Sequence, residues 1–212
     1  MKIITVNQLA IPEIKIVKFE KFVDQRGYFT EHFRESDFGG HSELRFFKKF
    51  KFLQANESYS KQGTVRGLHL QWNPFIGKLI RTIEGHMVDM ILDIRLNSST
   101  FGKIILFDMP MDKKNIWGEW IWVPPGFAHG NFFLEDTLIE YLCTGEYNPK
   151  CEACISPLST DIDWSIADKK LKKDFEKARN SNLLISDKDK NGYSIDEWSK
   201  SSSSKNFLNS SL

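Results

Sequence analysis

Short runs in which apolar and polar residues alternate with a period of two recur along most of this chain, and they restrict its fold more than any other feature. Val88-Asp89-Met90-Ile91-Leu92-Asp93-Ile94 is the clearest. In an extended strand it puts Val88, Met90, Leu92 and Ile94 on one face and Asp89, Ile91 and Asp93 on the other. Lys103 to Asp108, Trp120 to Val123 and Leu138 to Cys143 are further strand candidates, separated by Gly, Pro, Asn and Asp. Many short strands punctuated by turns predict a mainly β fold, a sandwich, jelly roll or small barrel whose core spans about residues 15–160.

Two helices are expected beside the strands. One runs from Glu31 to Phe38 and is ended by Gly39-Gly40. The other runs from Ile166 to Arg179, where Ile166, Leu171, Phe175 and Ala178 form a loose stripe among charged positions. A C-terminal helical segment over about residues 166–198 then completes one domain of residues 1–200. The serine-rich stretch from Ser201 to Leu212 offers little apolar surface to bury and is expected to be a frayed tail.

With 212 residues the chain can bury a core without disulfides or a metal. Its net charge of +1 gives no electrostatic reason to expect nucleic acid or an anionic membrane as partner. Met1 to Val6 starts like a signal peptide, but Asn7 and Gln8 end the apolar run too soon. No apolar stretch approaches membrane-spanning length. An odd number of cysteines, Cys143, Cys151 and Cys154, points to free thiols in a reducing compartment, so a cytoplasmic location is expected. Cys151-Glu152-Ala153-Cys154 has CxxC spacing, but no second cysteine pair or histidine cluster follows, and structural cysteines are expected there.

The polar residues within the strands carry the chemistry. Gln54, Asn56, Ser58 and Ser60 share one parity, so one face of their strand is wholly polar. Such a face is costly inside a β fold unless it meets water or a polar ligand. Arg66 and His69 follow closely, and Lys78 lies nine residues beyond His69. A second histidine, His129, sits in the unusual turn Trp122-Val123-Pro124-Pro125-Gly126-Phe127-Ala128-His129-Gly130. Near the N-terminus Arg26, Gly27, Phe29 and Glu31 lie close together.

Asp24-x-Arg26-Gly27-x-Phe29-x-Glu31, Arg66-Gly67-Leu68-His69-x-Gln71, Asp93-x-Arg95 with Ser99-Thr100-Phe101-Gly102, and Pro124-x-Gly126-Phe127-Ala128-His129-Gly130 occur in this order. Together they resemble the dTDP-4-keto-6-deoxyglucose 3,5-epimerase family of deoxysugar biosynthesis, over about Phe19 to Asp189. The resemblance implies a cupin-type jelly-roll barrel with a few peripheral helices, no cofactor, no metal, and a homodimer. Many cupins hold a metal through a His-x-His pair, but the matching strand here reads His69-Leu70-Gln71. A neutral amide is a poor transition-metal ligand beside imidazole.

The roles follow from that resemblance and from the acidity of C–H bonds next to a ketone. His69 is the candidate base. Ser186-Asp187-Lys188-Asp189 matches a segment whose carboxylate orients the base, with Asp189 first and Asp187 as the alternative. Tyr141 aligns with the family's acid, with Tyr147 as the alternative, and Lys78 would stabilise the enolate. Arg66 would hold the diphosphate, and Gln54 and Asn56 the sugar hydroxyls or phosphates. His129 would contact the sugar or a phosphate, while Arg26, Phe29 and Glu31 would reach the nucleotide from the partner subunit.

Departures from the pattern bear on specificity. Leu70 stands where the family usually has tyrosine, and Phe75-Ile76 where Ala-Gln is common. A GDP-linked hexose or heptose therefore stands beside a dTDP-linked hexose, and inversion at C3, C5 or both is open. A sugar-nucleotide ketoisomerase and a non-catalytic sugar-nucleotide-binding protein are the alternative functions.

Overall fold

The alternating runs become strands that pair into two antiparallel sheets in a computed structural model, which describes residues 1–181 and 183–208. One sheet is ordered Ile3–Gln8, Lys15–Glu20, Trp117–Val123, Lys78–Glu84, Thr137–Cys143, Gln54–Ser60. The other is ordered Glu152–Cys154, Thr64–Gln71, Phe127–Phe133, His86–Asp93, Ile104–Pro110, with Leu184–Ile185 added in parallel beside Thr64–Gln71. The fold is mainly β, a jelly roll of the cupin type with its helices at the periphery.

Alternation explains why the sheets face each other. Ile80, Ile121 and Ile139 of the first sheet pack against Met87, Ile91, Ile105 and Phe133 of the second. The opposite parity of the strand His86–Asp93, namely Val88, Met90 and Leu92, is buried too, beneath Leu171, Phe175 and Trp198. Its two apolar faces thus meet two different layers, which is why it carries so few solvent-facing residues. On the far side of the first sheet, Val17, Phe19, Trp120 and Trp122 are covered by Phe38, Leu44 and Phe47. Asp93 closes a corner at its strand end, accepting bonds from Arg95 Nη2 (2.8 Å), Ser98 Oγ (2.6 Å) and Thr100 Oγ1 (2.6 Å).

The helices depart from the sequence reading at their ends. The first covers Glu35–Gly40, not 31–38, and the two glycines form its last turn. Glu31 instead pairs with Arg34 and with the N-terminal amine ahead of the helix. The second covers Lys169–Arg179, because Asp168 caps it by accepting from the Lys170 and Leu171 N–H groups. Ile166 therefore lies before the helix and packs between the sheets, not on the helical stripe.

The serine-rich stretch does not fray over its described part; residues 209–212 lie outside the described residues. Ser203–Phe207 is a 3₁₀ helix, and Phe207 is 1% exposed. Its ring meets Trp198 at 5.6 Å, Phe75 at 5.3 Å and Trp72 at 6.4 Å between centroids. Its carbonyl accepts the Leu96 N–H at 2.9 Å. Composition alone misjudged the segment because one phenylalanine with three aromatic neighbours outweighs many serines. Removing residues 201–212 is expected to cost about 3–5 kcal/mol, the range for truncating a buried aromatic. The melting temperature should fall by roughly 10 °C; an unchanged melting curve would show that the turn contributes no stability.

Candidate active site

A bulge brings the polar residues of the second sheet to one face. His69 pairs with His129 and Arg66 with Asn131, with a register shift between them. Three steps on one strand run against two on the other, so Arg66 and His69, of opposite parity, point the same way. Gly67 makes this possible. Its φ is +107°, and a Cβ there would lie 2.6 Å from Gly130 Cα and 2.7 Å from the His129 carbonyl oxygen.

The first sheet supplies the facing wall. Tyr141 lies opposite Asn56 on one neighbour and Ile80 on the other, and Cys143 opposite Gln54 and Lys78. Residues directly opposite in a sheet share a face, so Gln54, Asn56, Lys78 and Tyr141 project together. Between the sheets lie two adjoining lobes of about 250 and 170 Å³, both lined by His69, Lys78, His129 and Tyr141. The larger also meets Gln54 and Asn56, and the smaller Arg66 and Asp189.

His69 Nε2 lies 2.7 Å from Asp189 Oδ1, while Asp189 Oδ2 accepts the Gly67 N–H at 3.1 Å. Burial pushes the Asp189 carboxyl upward, but the bonds from His69, Gly67 and Ser186 outweigh it and hold it below the ordinary value. An ionised Asp189 accepts a hydrogen bond from Nε2–H, which favours the tautomer with its lone pair on Nδ1. Asp187, the alternative partner, is exposed. Ser186 fixes the arrangement by capping the short helix Asp187–Lys190 and accepting the Asp189 N–H at 3.1 Å.

Tyr141 is raised above the usual phenol range, chiefly by burial, and so keeps its proton at neutral pH. Burial lowers Lys78 from the usual lysine value. His129 is lowered by burial despite Asp89, whose Oδ1 lies 2.8 Å from its Nε2. Asp89 also accepts from Asn131 Nδ2 at 2.7 Å, and its Oδ2 has no hydrogen-bond partner among the described residues. Sequence reasoning did not pick out Asp89 or Asn131 as site residues. The signal for Asp89 was a carboxylate in the middle of a mostly apolar strand, on the same face as Ile91.

Arg66 Nε donates to Ser60 Oγ at 2.8 Å. Gln54 Nε2 donates to Asn56 Oδ1 at 2.9 Å, and Gln54 Oε1 accepts the Tyr147 N–H at 2.9 Å. Tyr147, the alternative acid, stands at the rim with its hydroxyl donated to Glu152 Oε1 at 2.7 Å. Arg26, Phe29 and Glu31 do not line either lobe. Phe29 lies on an exposed hairpin of Phe22–Asp24 and Gly27–Phe29, Arg26 at its turn pairs with Asp24 at 2.7 Å, and Phe29 is 66% exposed.

Among the described residues, His69, Cys154 and Asp189 form one group whose ligand atoms lie within 4.8 Å of one another. A metal there would compete with the proton shared by His69 and Asp189. It would also compete with a thiol proton that burial first, and Asp189 next, hold up to about 12.

The family model of dTDP-4-dehydrorhamnose 3,5-epimerase matches residues 8–197. An enzyme of that description from Shigella flexneri is 35% identical over 186 residues, 86% of this chain and 91% of the relative. The crystal structure of the Sulfolobus tokodaii enzyme superposes with a TM-score of 0.72 at 34% identity, covering 93% of this chain and 97% of that one. The Legionella pneumophila enzyme in complex with dTDP-4-keto-L-rhamnose gives 0.74 at 28% identity, covering 91% and 93%. A jelly roll with this cavity, matched over nearly its whole length, thus belongs to the dTDP-4-dehydrorhamnose 3,5-epimerase family.

Proposed function

We propose that this chain inverts C3, C5 or both in a nucleoside-diphosphate-linked 4-keto-6-deoxy sugar, working without a cofactor. One observation carries the reading. His69, backed by Asp189 of the short helix Asp187–Lys190, stands on one sheet and the protonated Tyr141 on the other, across a cavity that also holds Lys78. Epimerisation next to a ketone asks for a base on one side of the ring and an acid on the other.

His69 Nδ1 takes the proton from the carbon next to the ketone, and the C–H electron pair moves onto the carbonyl oxygen as an enolate. The Lys78 ammonium stabilises that growing charge. The enolate then collapses back to the ketone while Tyr141 delivers its hydroxyl proton to the opposite face. Solvent returns a proton to Tyr141 and accepts the one held by His69. Asp189 holds the imidazole in the tautomer that leaves Nδ1 free and stabilises its cation, so Asp189→Asn is expected to lower kcat by about 10²-fold or more, toward the 10⁴-fold that the wrong tautomer can cost. Unchanged turnover would remove Asp189 from the mechanism.

Gln54, Asn56 and His129 bind sugar hydroxyls or phosphate oxygens, and Arg66 the diphosphate. The hairpin reading requires a second copy: Arg26, Phe29 and Glu31 complete the partner's nucleotide site. Phe22, Val23, Tyr28 and Phe29, each at least 45% exposed, give that hairpin an apolar surface to bury. Light scattering should give twice the 24.7 kDa chain mass. A fully active species at the single-chain mass would exclude the shared site.

The test of function uses dTDP- and GDP-linked 4-keto-6-deoxy sugars in deuterated water, read by NMR. An epimerase places deuterium at C3 or C5 of an inverted product. A ketoisomerase places it at the carbon that gains a hydroxyl, and a binding protein places none.

A further inference from the structure

We propose that Cys154 is a positioning residue for the base. Its thiol donates a second hydrogen bond to Asp189 Oδ1, the oxygen that also accepts from His69, and so limits how tightly Asp189 holds the imidazolium. The consequence, the pH at which His69 becomes free to act, rests on the epimerase reading above.

The strand Glu152–Cys154 pairs with the strand Thr64–Gln71 so that Cys154 lies directly opposite His69. Residues directly opposite share a face, which brings the thiol to the same side as the imidazole. Cys154 Sγ lies 3.8 Å from Asp189 Oδ1, and His69 Nε2 lies 2.7 Å from the same atom. Among the described residues these two groups reach Oδ1, while Oδ2 takes the Gly67 N–H. Sγ is also 3.5 Å from the Ile155 carbonyl oxygen, but that oxygen already accepts the Leu68 N–H at 3.0 Å. An ionised carboxylate is the stronger acceptor of the two. Cys154 and Asp189 are 6% and 5% exposed, so water has little access to Oδ1 and a protein donor is needed there.

The thiol is a donor and not a second anion, because burial first, and Asp189 next, hold its pKa up to about 12. Each hydrogen bond that a carboxylate accepts lowers its basicity. A bond to Oδ1 therefore weakens the attraction of Asp189 for the charged form of His69. Without that bond the imidazole keeps its proton to higher pH, and the base stays idle over that range. Arg66, Lys78, His129, Tyr141 and Glu152 line the cavity around the pair, and Lys188 ties Glu152 Oε1 at 2.6 Å. A change at Cys154 leaves all six in the chain, so a difference between variants at this position reports the thiol.

The test compares Cys154→Ala with Cys154→Ser, which lose nearly the same volume and differ by one hydroxyl donor. The pH profile of kcat/KM, read as deuterium uptake from a dTDP-linked 4-keto-6-deoxy sugar, reports the base of the free enzyme. In Cys154→Ala its acid limb should move up by about 0.5–1 pH unit, the worth of one net hydrogen bond. Cys154→Ser should return it to the wild-type position, and Cys154→Val, which fills the site without a donor, should follow alanine. The ring resonances of His69, titrated by NMR in the substrate-free protein, should move by the same amounts. A serine variant that follows alanine, or an alanine variant that matches wild type in both readouts, overturns the role of the thiol. No deuterium uptake by the wild-type chain instead brings down the epimerase reading, and the NMR titration then decides the bond to Asp189.

Discussion

His69→Asn should abolish both epimerisation and the exchange of sugar hydrogens with solvent. Asparagine keeps a hydrogen-bonding side chain of similar reach toward Asp189 Oδ1, which lies 2.7 Å from His69 Nε2. It offers no lone pair able to take a carbon-bound proton at neutral pH. A positioned general base is worth about 10²–10⁴-fold in rate, and the loss should fall in that range. The decisive readout is deuterium, because a variant that still exchanges at a normal rate must be using another base. His129 is the other imidazole in the cavity, but burial and its bond to Asp89 hold Nε2 away from that duty. Continued exchange in His69→Asn would overturn the mechanism proposed here.

Tyr141→Phe should separate the two half-reactions. It preserves the ring between Asn56 and Ile80 and removes only the hydroxyl. Proton removal by His69 continues, so deuterium should wash into substrate whose configuration is unchanged, returned to the face it left. Inversion should fall by about 10²–10⁴-fold, the range for a general acid. Inversion at the normal rate would shift the role to Tyr147 or to a water. Tyr147 is poorly placed to take it over, since its hydroxyl donates to Glu152 Oε1 at 2.7 Å and it stands at the rim.

Much of the architecture is a consequence of local pattern. Alternation in Val88 to Ile94 sends Ile91 between the sheets and Val88, Met90 and Leu92 toward the helices, whichever strands become its neighbours. The shared parity of Gln54 and Asn56 likewise predicts a polar face, and that face lines the cavity. His69, Lys78, His129 and Tyr141 were candidates in the sequence, and the structure brings all four to one cavity.

What only the tertiary structure decided depends on contacts between distant segments. The choice between Asp187 and Asp189 turns on which carboxylate faces a histidine 120 residues earlier, and two acidic residues in one short helix look alike in sequence. The bulge at Gly67 that aligns Arg66 with His69 brings its backbone so close to Gly130 of another strand that neither position has room for a Cβ. Asp89 becomes a partner of His129 only when their strands pair, and Phe207 is buried only because Trp72, Phe75 and Trp198 converge on it. Periodicity is set by the geometry of a single strand, so the sequence carries it directly. Which buried charge finds a partner, and which ring finds a slot, is set by the free energy of closing the whole chain, where desolvation must be offset by groups that lie far apart in sequence.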